Sequence, residues 1–106
     1  MSARALVVLI TTPGPSASAK LAKGLLEGKW AACVNRIPGL TSQYWWKGKI
    51  EKAREELLVV KTLPEKWPRL EKWVRVHHPY SVCEIIALPV SKISKPYGDW
   101  IRLSLL

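Results

Sequence analysis

The sequence predicts an α+β fold in which helices pack on one face of an antiparallel sheet. Three observations predict it: short apolar runs typical of buried strands, two segments whose apolar residues recur at helical spacing, and a glycine turn that follows aromatic residues. At 106 residues the chain is near the commonest size of a domain. We therefore expect a single domain over residues 1–106.

A strand, a helix and a second strand are predicted for the first third of the chain. Residues 5–10 form a continuous apolar and β-branched run, typical of a strand buried on both faces. Over residues 16–27 alanines and leucines recur at helical spacing opposite lysines, with Ser16 as the expected N-cap and Gly28 as the expected stop. Residues 31–37 predict the second strand, which a Pro-Gly pair is expected to end.

The rest of the chain adds two strands. Aromatic residues at 44–46 precede a turn at 47–49, which is the signal of a hairpin. The returning segment continues into a buried-strand run at 57–60, and residues 82–90 predict the last strand.

Two more helices complete the predicted order. Pro64 opens the longer one, because proline suits the first turn, and Pro79 ends it, because the residue before a proline leaves the α region. Residues 97–105 predict a short terminal helix. The longer helix carries a stripe of residues at i, i+3, i+7 and i+10, namely Trp67, Leu70, Val74 and His77.

This order of elements is that of a ferredoxin-like βαββαβ sandwich, followed here by a short C-terminal helix. Its helices cover one face of the sheet, and no segment of the sequence is left to cover the other. Strands that are apolar on both sides then imply a partner, and homo-oligomers are the commonest way to supply one.

The net charge of the chain is +9, from 17 Lys and Arg against 8 acidic residues. Such a balance favours anionic partners such as nucleic acid. The basic residues are spread along the whole chain, however, and form no long run of like charge. We therefore predict no nucleic-acid binding, which a salt-dependent interaction with oligonucleotides would contradict.

The cysteines and the apolar runs bear on the compartment. Cys33 and Cys83 are too few for a disulfide framework, and no Cys/His array has structural-zinc spacing. The apolar run at 5–10 is shorter than that of a signal peptide or the ~20 residues of a membrane span. We therefore expect a cytoplasmic protein with reduced thiols and no membrane contact.

Four segments of the chain, in this order, resemble the CutA family. Each would be weak by itself, but together they cover nearly the whole chain with the family's spacing. They are LVVLITTP at 6–13, AACVNRIPG at 31–39, YWWKGKI at 44–50, and the stretch from HPY to ALPV at 78–90.

The resemblance implies a tight homotrimer in which the central hairpin reaches a neighbouring subunit. It also implies similarity to the trimeric PII signalling proteins, which bind small ligands between subunits. The CutA family is linked to tolerance of copper and other divalent ions, and no enzymatic activity is established for it. We expect no enzyme here either, since the chain has no Walker loop, HExxH motif or nucleophile elbow.

The adjacent histidines, His77 and His78, are the first candidate metal ligands, because neutral imidazole suits copper and zinc. The resemblance implies a copper site that combines such a pair with a first-strand cysteine, but Ile10 holds that position here. The alternative is structural: His77 closes the helix face, and His78 makes a hydrogen bond that fixes the following turn. Cys83 is the third candidate, since His78, Cys83 and Glu84 from different subunits would offer N, S and O donors to Cu²⁺ or another divalent cation.

A ligand cleft is the other candidate site. Lys61 and Glu84 are charges beside buried-strand sequence, and buried charges must be paired. One interpretation is a salt bridge between subunits, and the other is a small-anion pocket. Asn35 and Trp46 are further candidates to line such a cleft.

The sequence therefore favours a cytoplasmic homotrimer that binds a divalent metal ion or a small ligand in clefts between subunits, in metal tolerance or signalling. The rival interpretation is a structural or interaction protein whose effect on metal tolerance is indirect. That rival predicts no stoichiometric ligand.

Overall fold

A computed structural model describes residues 4–106 of the chain. The strands form one antiparallel sheet in the order β2-β3-β1-β4, and the helices follow β1, β3 and β4. This arrangement confirms the predicted ferredoxin-like α+β fold. The elements are β1 Leu6–Thr12, α1 Pro15–Glu27, β2 Cys33–Trp46, β3 Lys49–Thr62, α2 Trp67–His77, β4 Ile85–Pro89 and α3 Lys95–Ser104.

The hydrophobic core lies between one face of the sheet and the helices α1 and α2. Alternate residues of β1 and β3 point to this face, as the period of a strand requires. The predicted stripe of α2 is confirmed for its middle residues, which are fully buried, whereas His77 is exposed. The central core residues are Val8, Ile10, Leu21, Leu25, Leu58, Val60, Leu70 and Val74.

The second face of the sheet is not covered by α1 or α2. Ile86 and Leu88 of β4 are each 50% exposed, and Ile37 of β2 is 43% exposed. The predicted uncovered face is thus present in the described part of the chain. We call it the open face; by strand register it comprises Val7, Leu9, Thr11, Cys33, Asn35, Ile37, Glu55, Leu57, Val59, Lys61, Ile86 and Leu88. Glu84, directly before β4, lies at its edge beside Thr11.

The Pro38–Gly39 pair bends β2 rather than ending it, contrary to the expectation from the sequence. The register of β2 against β3 shifts between Ile37 and Leu40. The bend forms here because Pro38 has no N–H for the ladder and Gly39 adopts a φ of +80°. β2 then continues to the predicted hairpin turn, where residues 47–48 both have positive φ.

Helix α1 begins at Pro15, with Gly14 rather than Ser16 as its N-cap. Proline fits the first helical position because an N–H at that position would have no acceptor within the helix, so its absence costs nothing. Gly28 caps the C-terminus, as predicted.

The other boundaries also differ by a few residues from the prediction. Residues 64–66 form a 3₁₀ turn before α2, because Pro68 has no N–H to donate to the carbonyl four residues earlier. α3 begins at Lys95, with the Ser94 hydroxyl accepting a hydrogen bond at its N-terminus. β4 begins at Ile85 rather than at residue 82, since its pairing with β1 starts there. None of the described helices is long and apolar enough to cross a membrane.

Candidate functional site

A cleft of about 790 Å³ opens beside the outer half of the β2–β3 hairpin. β1 pairs with β3 only over residues 56–62, so the outer half of the hairpin stands clear of β1. The volume lies in the range of small-molecule sites. The cleft is lined by aromatic residues (Tyr44, Trp45 and Trp46), hydroxyl groups (Thr11, Ser42, Tyr80 and Ser81), two carboxylates (Glu55 and Glu84), and Gln43, Pro79 and Val82.

Glu55 and Tyr80 form a defined contact in the wall of this cleft. Glu55 is only 7% exposed, and the Tyr80 hydroxyl donates a hydrogen bond to its Oε2 at 2.8 Å. Burial, followed by this hydrogen bond and the charge of Glu55, raises the pKa of Tyr80 to about 12. The phenol therefore stays protonated at neutral pH and keeps the carboxyl group of Glu55 in place.

His78 supports the same wall from within the fold. The residue is 7% exposed, with Nε2 of its ring 2.7 Å from the Thr11 carbonyl oxygen and Nδ1 3.0 Å from the Tyr80 backbone nitrogen. Because a carbonyl only accepts and a backbone N–H only donates, Nε2 carries the proton and Nδ1 accepts. Both ring nitrogens are engaged, and this is the kind of contact that the structural alternative predicted for His78.

Glu84 is the second carboxylate of the cleft. The residue is exposed, but partial desolvation of its carboxyl group raises its pKa, and the negative charge of Glu55 adds to the rise. The structure thus brings Glu84 and Trp46, two of the predicted ligand residues, to one cleft. Two carboxylates on one wall make it a favourable place for a positive group.

Lys61 and Asn35, the other two predicted ligand residues, lie at the opposite end of the open face. Lys61 is opposite Val7 in β1, whereas Glu84 directly precedes β4 and lines the cleft together with Thr11. Four residues of strand separate Val7 from Thr11, or ~13 Å. Lys61 donates a hydrogen bond to Oδ1 of Asn35 instead. The predicted ligand residues therefore form two pairs, one at each end of the face.

The end of the open face that holds Lys61 is also in contact with α3. Tyr97 of α3 lies near Cys33, and burial raises the pKa of its phenol, with the neighbouring Cys33 adding to the rise. The Cys33 thiol lies 3.8 Å from Oδ1 of Asn35. This end is thus rich in polar groups that donate hydrogen bonds.

The predicted metal ligands do not converge within one chain. Nδ1 of His77 lies 2.8 Å from the Trp73 carbonyl oxygen, and the His77 ring stacks on the Trp73 indole with centroids 4.3 Å apart. Cys83 packs against the core, and burial raises the pKa of its thiol.

A divalent ion bound by protein side chains normally has three or four such ligands. Over residues 4–106, no three His, Cys, Asp or Glu side chains lie close enough to share one ion. The donor set of a single chain therefore does not fit a metal at His77, His78 and Cys83. A site shared between copies stays a prediction.

Sequence reasoning does not select Glu55 or Tyr80 as site residues. The alternation of residues along β3 could have indicated Glu55, because Glu55 is on the same face of the strand as Leu57. A carboxylate beside a buried run needs a hydrogen-bond donor. The partner of Glu55 is 25 residues away in sequence, so only the fold identifies it.

Comparison with known proteins agrees with the family resemblance found in the sequence. The family model described as CutA1 divalent ion tolerance protein matches residues 6–104. A divalent-cation tolerance protein CutA from Thermus thermophilus is 47% identical over 96 residues, which are 91% of this chain and 93% of that protein. A CutA homolog from Xenopus laevis is also 47% identical, over 87% of this chain, but the chain spans only 61% of its length.

A solved structure shows the same fold. It is the divalent cation tolerance protein CutA from Archaeoglobus fulgidus, named as periplasmic, which is 38% identical to this chain. The TM-score is 0.93, with 96% of this chain and 99% of the other covered.

Proposed function

The chain belongs to the CutA1 family of divalent ion tolerance proteins, and from this premise we propose that it forms a homotrimer that binds a small ligand in the cleft beside Glu84. The observation that carries this proposal is the cleft itself, with an aromatic wall from the hairpin and the Glu55–Tyr80 pair opposite. Ligand sites typically combine such apolar walls with a few fixed polar groups.

The donor geometry favours a small ligand over a copper ion at the histidine pair. Both ring nitrogens of His78 are already hydrogen-bonded to the backbone. A metal ion there would have to break both bonds, and the first-strand cysteine of the proposed copper site is Ile10 here. Direct binding of Cu²⁺ or another divalent cation is therefore the second candidate, supported by the family name and by exposed His77.

The homotrimer is supported by the open face. Half-exposed Ile86 and Leu88 lie in a patch of apolar strand residues, and a monomer would leave this patch in water. A ligand bound between subunits makes the protein similar in mode of action to PII signalling proteins. We propose a binding and signalling role without catalysis.

We also propose a cytoplasmic location, which the two free cysteines support. The relative from Archaeoglobus fulgidus, named as periplasmic, represents the opposite possibility. Fractionation of cells that carry the native gene distinguishes the two, since a periplasmic protein is released by osmotic shock and a cytoplasmic one is retained.

Native mass spectrometry of protein purified from its own cells tests the ligand proposal. We expect trimers that carry a small molecule at a fixed ratio. The variant Trp46→Ala should lose this molecule, whereas Val76→Ala, which shortens an exposed apolar side chain of α2 outside the cleft, should keep it. Ligand-free wild-type trimers, or equal retention by both variants, would contradict a ligand site in the cleft.

Calorimetric titration with Cu²⁺ and Zn²⁺ tests the second candidate. Saturable binding at a fixed ratio per trimer that is lost in the His77→Ala/His78→Ala variant would establish a direct metal site at the histidines and displace the cleft proposal. Weak uptake that survives in this variant would show that the histidines are structural.

A further inference from the structure

A second cavity, of about 210 Å³, lies where α3 begins and shares no lining residue with the cleft beside the hairpin. We call it the α3 cavity. At ~30 Å³ for each water molecule, its volume is that of about seven waters. This is below the ~300–1,000 Å³ of sites for drug-sized ligands. The α3 cavity therefore suits a small ion or a molecule of a few heavy atoms.

Basic side chains dominate the lining of the α3 cavity. The lining includes three basic residues, Arg4, Lys95 and Arg102, and one acidic residue, Asp99, which leaves a net charge of +2. The balance is opposite in the cleft beside the hairpin, where the described residues contribute two carboxylates and no basic side chain. A local surplus of positive charge attracts anions.

Asp99 holds two of these basic side chains in place. The Lys95 ammonium donates a hydrogen bond to its Oδ2 at 2.7 Å, and the Arg102 guanidinium donates one to its Oδ1. Both contacts lie within α3, at spacings of i, i+4 and i, i+3. Each cation uses only part of its donors here, because an ammonium group has three N–H donors and a guanidinium group has five. The remaining donors are available to an anion in the cavity.

Arg4 supplies charge that Asp99 does not balance. No salt bridge of residues 4–106 includes Arg4, and residues 1–3 contain no acidic side chain. Arg4 precedes β1, so the cavity receives its basic groups from two separate parts of the chain. The planar fork of a guanidinium group binds two oxygens of an oxyanion at once.

The rest of the lining combines a hydroxyl donor with an apolar part. The Ser94 hydroxyl accepts a hydrogen bond from the Tyr97 N–H at 3.4 Å and keeps its own O–H as a donor. Buried Ala5 and half-buried Ile93 form the apolar part. A phosphate group matches this lining, because it carries a charge of about −1.5 to −2 at neutral pH and several acceptor oxygens.

We propose that the α3 cavity binds a phosphate group, as inorganic phosphate or as a small phosphomonoester, through Arg4, Lys95 and Arg102. The proposal does not depend on the homotrimer or on a ligand in the cleft. A phosphate dianion in this cavity offsets the net charge of the lining and links the segment before β1 to α3.

Calorimetric titration of the wild-type chain with inorganic phosphate, at constant ionic strength, tests this site. We expect saturable binding of one phosphate per chain, with a dissociation constant in the millimolar range or below. Arg4→Gln should weaken binding at least ~10-fold, because a charged hydrogen bond is lost while the contacts of Asp99 stay in place. The double variant Arg4→Gln/Arg102→Gln should show no saturable binding.

Matched controls separate this site from net charge and from misfolding. Arg69→Gln removes the same charge from an exposed position of α2 and should leave the affinity for phosphate within ~2-fold of wild type. Trp46→Ala changes the cleft and should have equally little effect. Far-ultraviolet circular dichroism should show that the Arg4→Gln chain is folded.

Propyl phosphate distinguishes the two sources of the phosphate group. Binding at least ~5-fold tighter than that of inorganic phosphate would assign a phosphomonoester, because its carbon chain contacts Ala5 and Ile93. Equal or weaker binding would assign the free ion.

Three results would overturn the proposal. They are uptake of phosphate that does not saturate, a loss of affinity in Arg69→Gln as large as that in Arg4→Gln, and undiminished affinity in Arg4→Gln/Arg102→Gln. Each would show that phosphate binds elsewhere or follows the net charge of the chain, and each would leave the proposed function of the cleft standing.

Discussion

Gly24 in α1 lies under the indole ring of Trp73, which makes its replacement by alanine a sharp test of the packing between α1 and α2. In an ordinary helix interior Gly→Ala stabilises a protein by ~0.5–1 kcal/mol, because glycine loses more backbone entropy on folding. At Gly24, however, a Cβ would lie 2.2 Å from both Cη2 and Cζ2 of Trp73. One side chain must therefore move.

The ring of Trp73 has little room to move, since it is packed between two other rings. Its centroid lies 5.3 Å from that of Trp30 and 4.3 Å from that of His77. Overpacking of this kind costs ~1–3 kcal/mol. After the helix-propensity gain is subtracted, Gly24→Ala should lower the free energy of unfolding by ~0.5–2 kcal/mol.

Gly98 in α3 supplies the matched control. A Cβ there would meet Ile93 at 3.5 Å, which is ordinary contact, so Gly98→Ala should be stabilising by ~0.5–1 kcal/mol. Both variants are unfolded in urea at the same chain concentration, because the stability of an oligomer depends on concentration. A Gly24→Ala variant as stable as Gly98→Ala would refute the packing argument.

Three further predictions concern single side chains. Tyr80→Phe removes the hydrogen bond to Glu55 and should lower the free energy of unfolding in urea by ~1–2 kcal/mol at neutral pH. In the wild type the raised pKa of Tyr80 stabilises the folded state below pH 10, and this stabilisation is lost as pH rises from 10 to about 12. The Tyr80→Phe variant should not show this alkaline loss of stability. His78→Ala leaves the Thr11 carbonyl and the Tyr80 N–H without their partner and should lower the free energy of unfolding by ~2–4 kcal/mol. His77→Ala changes an exposed residue and should lower it by less than ~1 kcal/mol. Similar losses in the two variants would contradict the structural role of His78. Hydrogen bonds from Lys95 and Arg102 lower the pKa of Asp99, so its carboxylate should stabilise the fold at neutral pH and lose this effect as pH falls through the lowered pKa. The melting temperature of Asp99→Asn should therefore fall less than that of the wild type on acidification. An identical dependence of the melting temperature on pH in both proteins would contradict this role of Asp99.

The types and order of the elements were predictable because each rests on local chemistry. The run at 5–10, the helical spacing before Gly28 and the turn at residues 47–48 each depend on neighbours within a few residues. The prediction was wrong at Pro38–Gly39, where a local rule indicates the end of a strand. The continued pairing of β2 with β3 carries the strand through that break.

The site was predictable only in part, for a related reason. Glu84 and Trp46 were selected from the sequence, and the structure places them in one cleft, but it places Lys61 and Asn35 with each other at the far end of the face. A pattern of types shows that a charge beside an apolar run needs a partner, without showing which partner is within reach.

The sequence by itself determined the class of fold, the family of the chain and the presence of an uncovered sheet face, because periodicity, turn residues and motif spacing are properties of contiguous residues. Only the tertiary structure decided that His78 is held by the Thr11 carbonyl, that Glu55 is bound by Tyr80, and that Lys61 contacts Asn35 while Glu84 lines the cleft. These contacts join residues far apart in sequence, and their distances depend on the register of strands whose pairing is set by the packing of the whole domain.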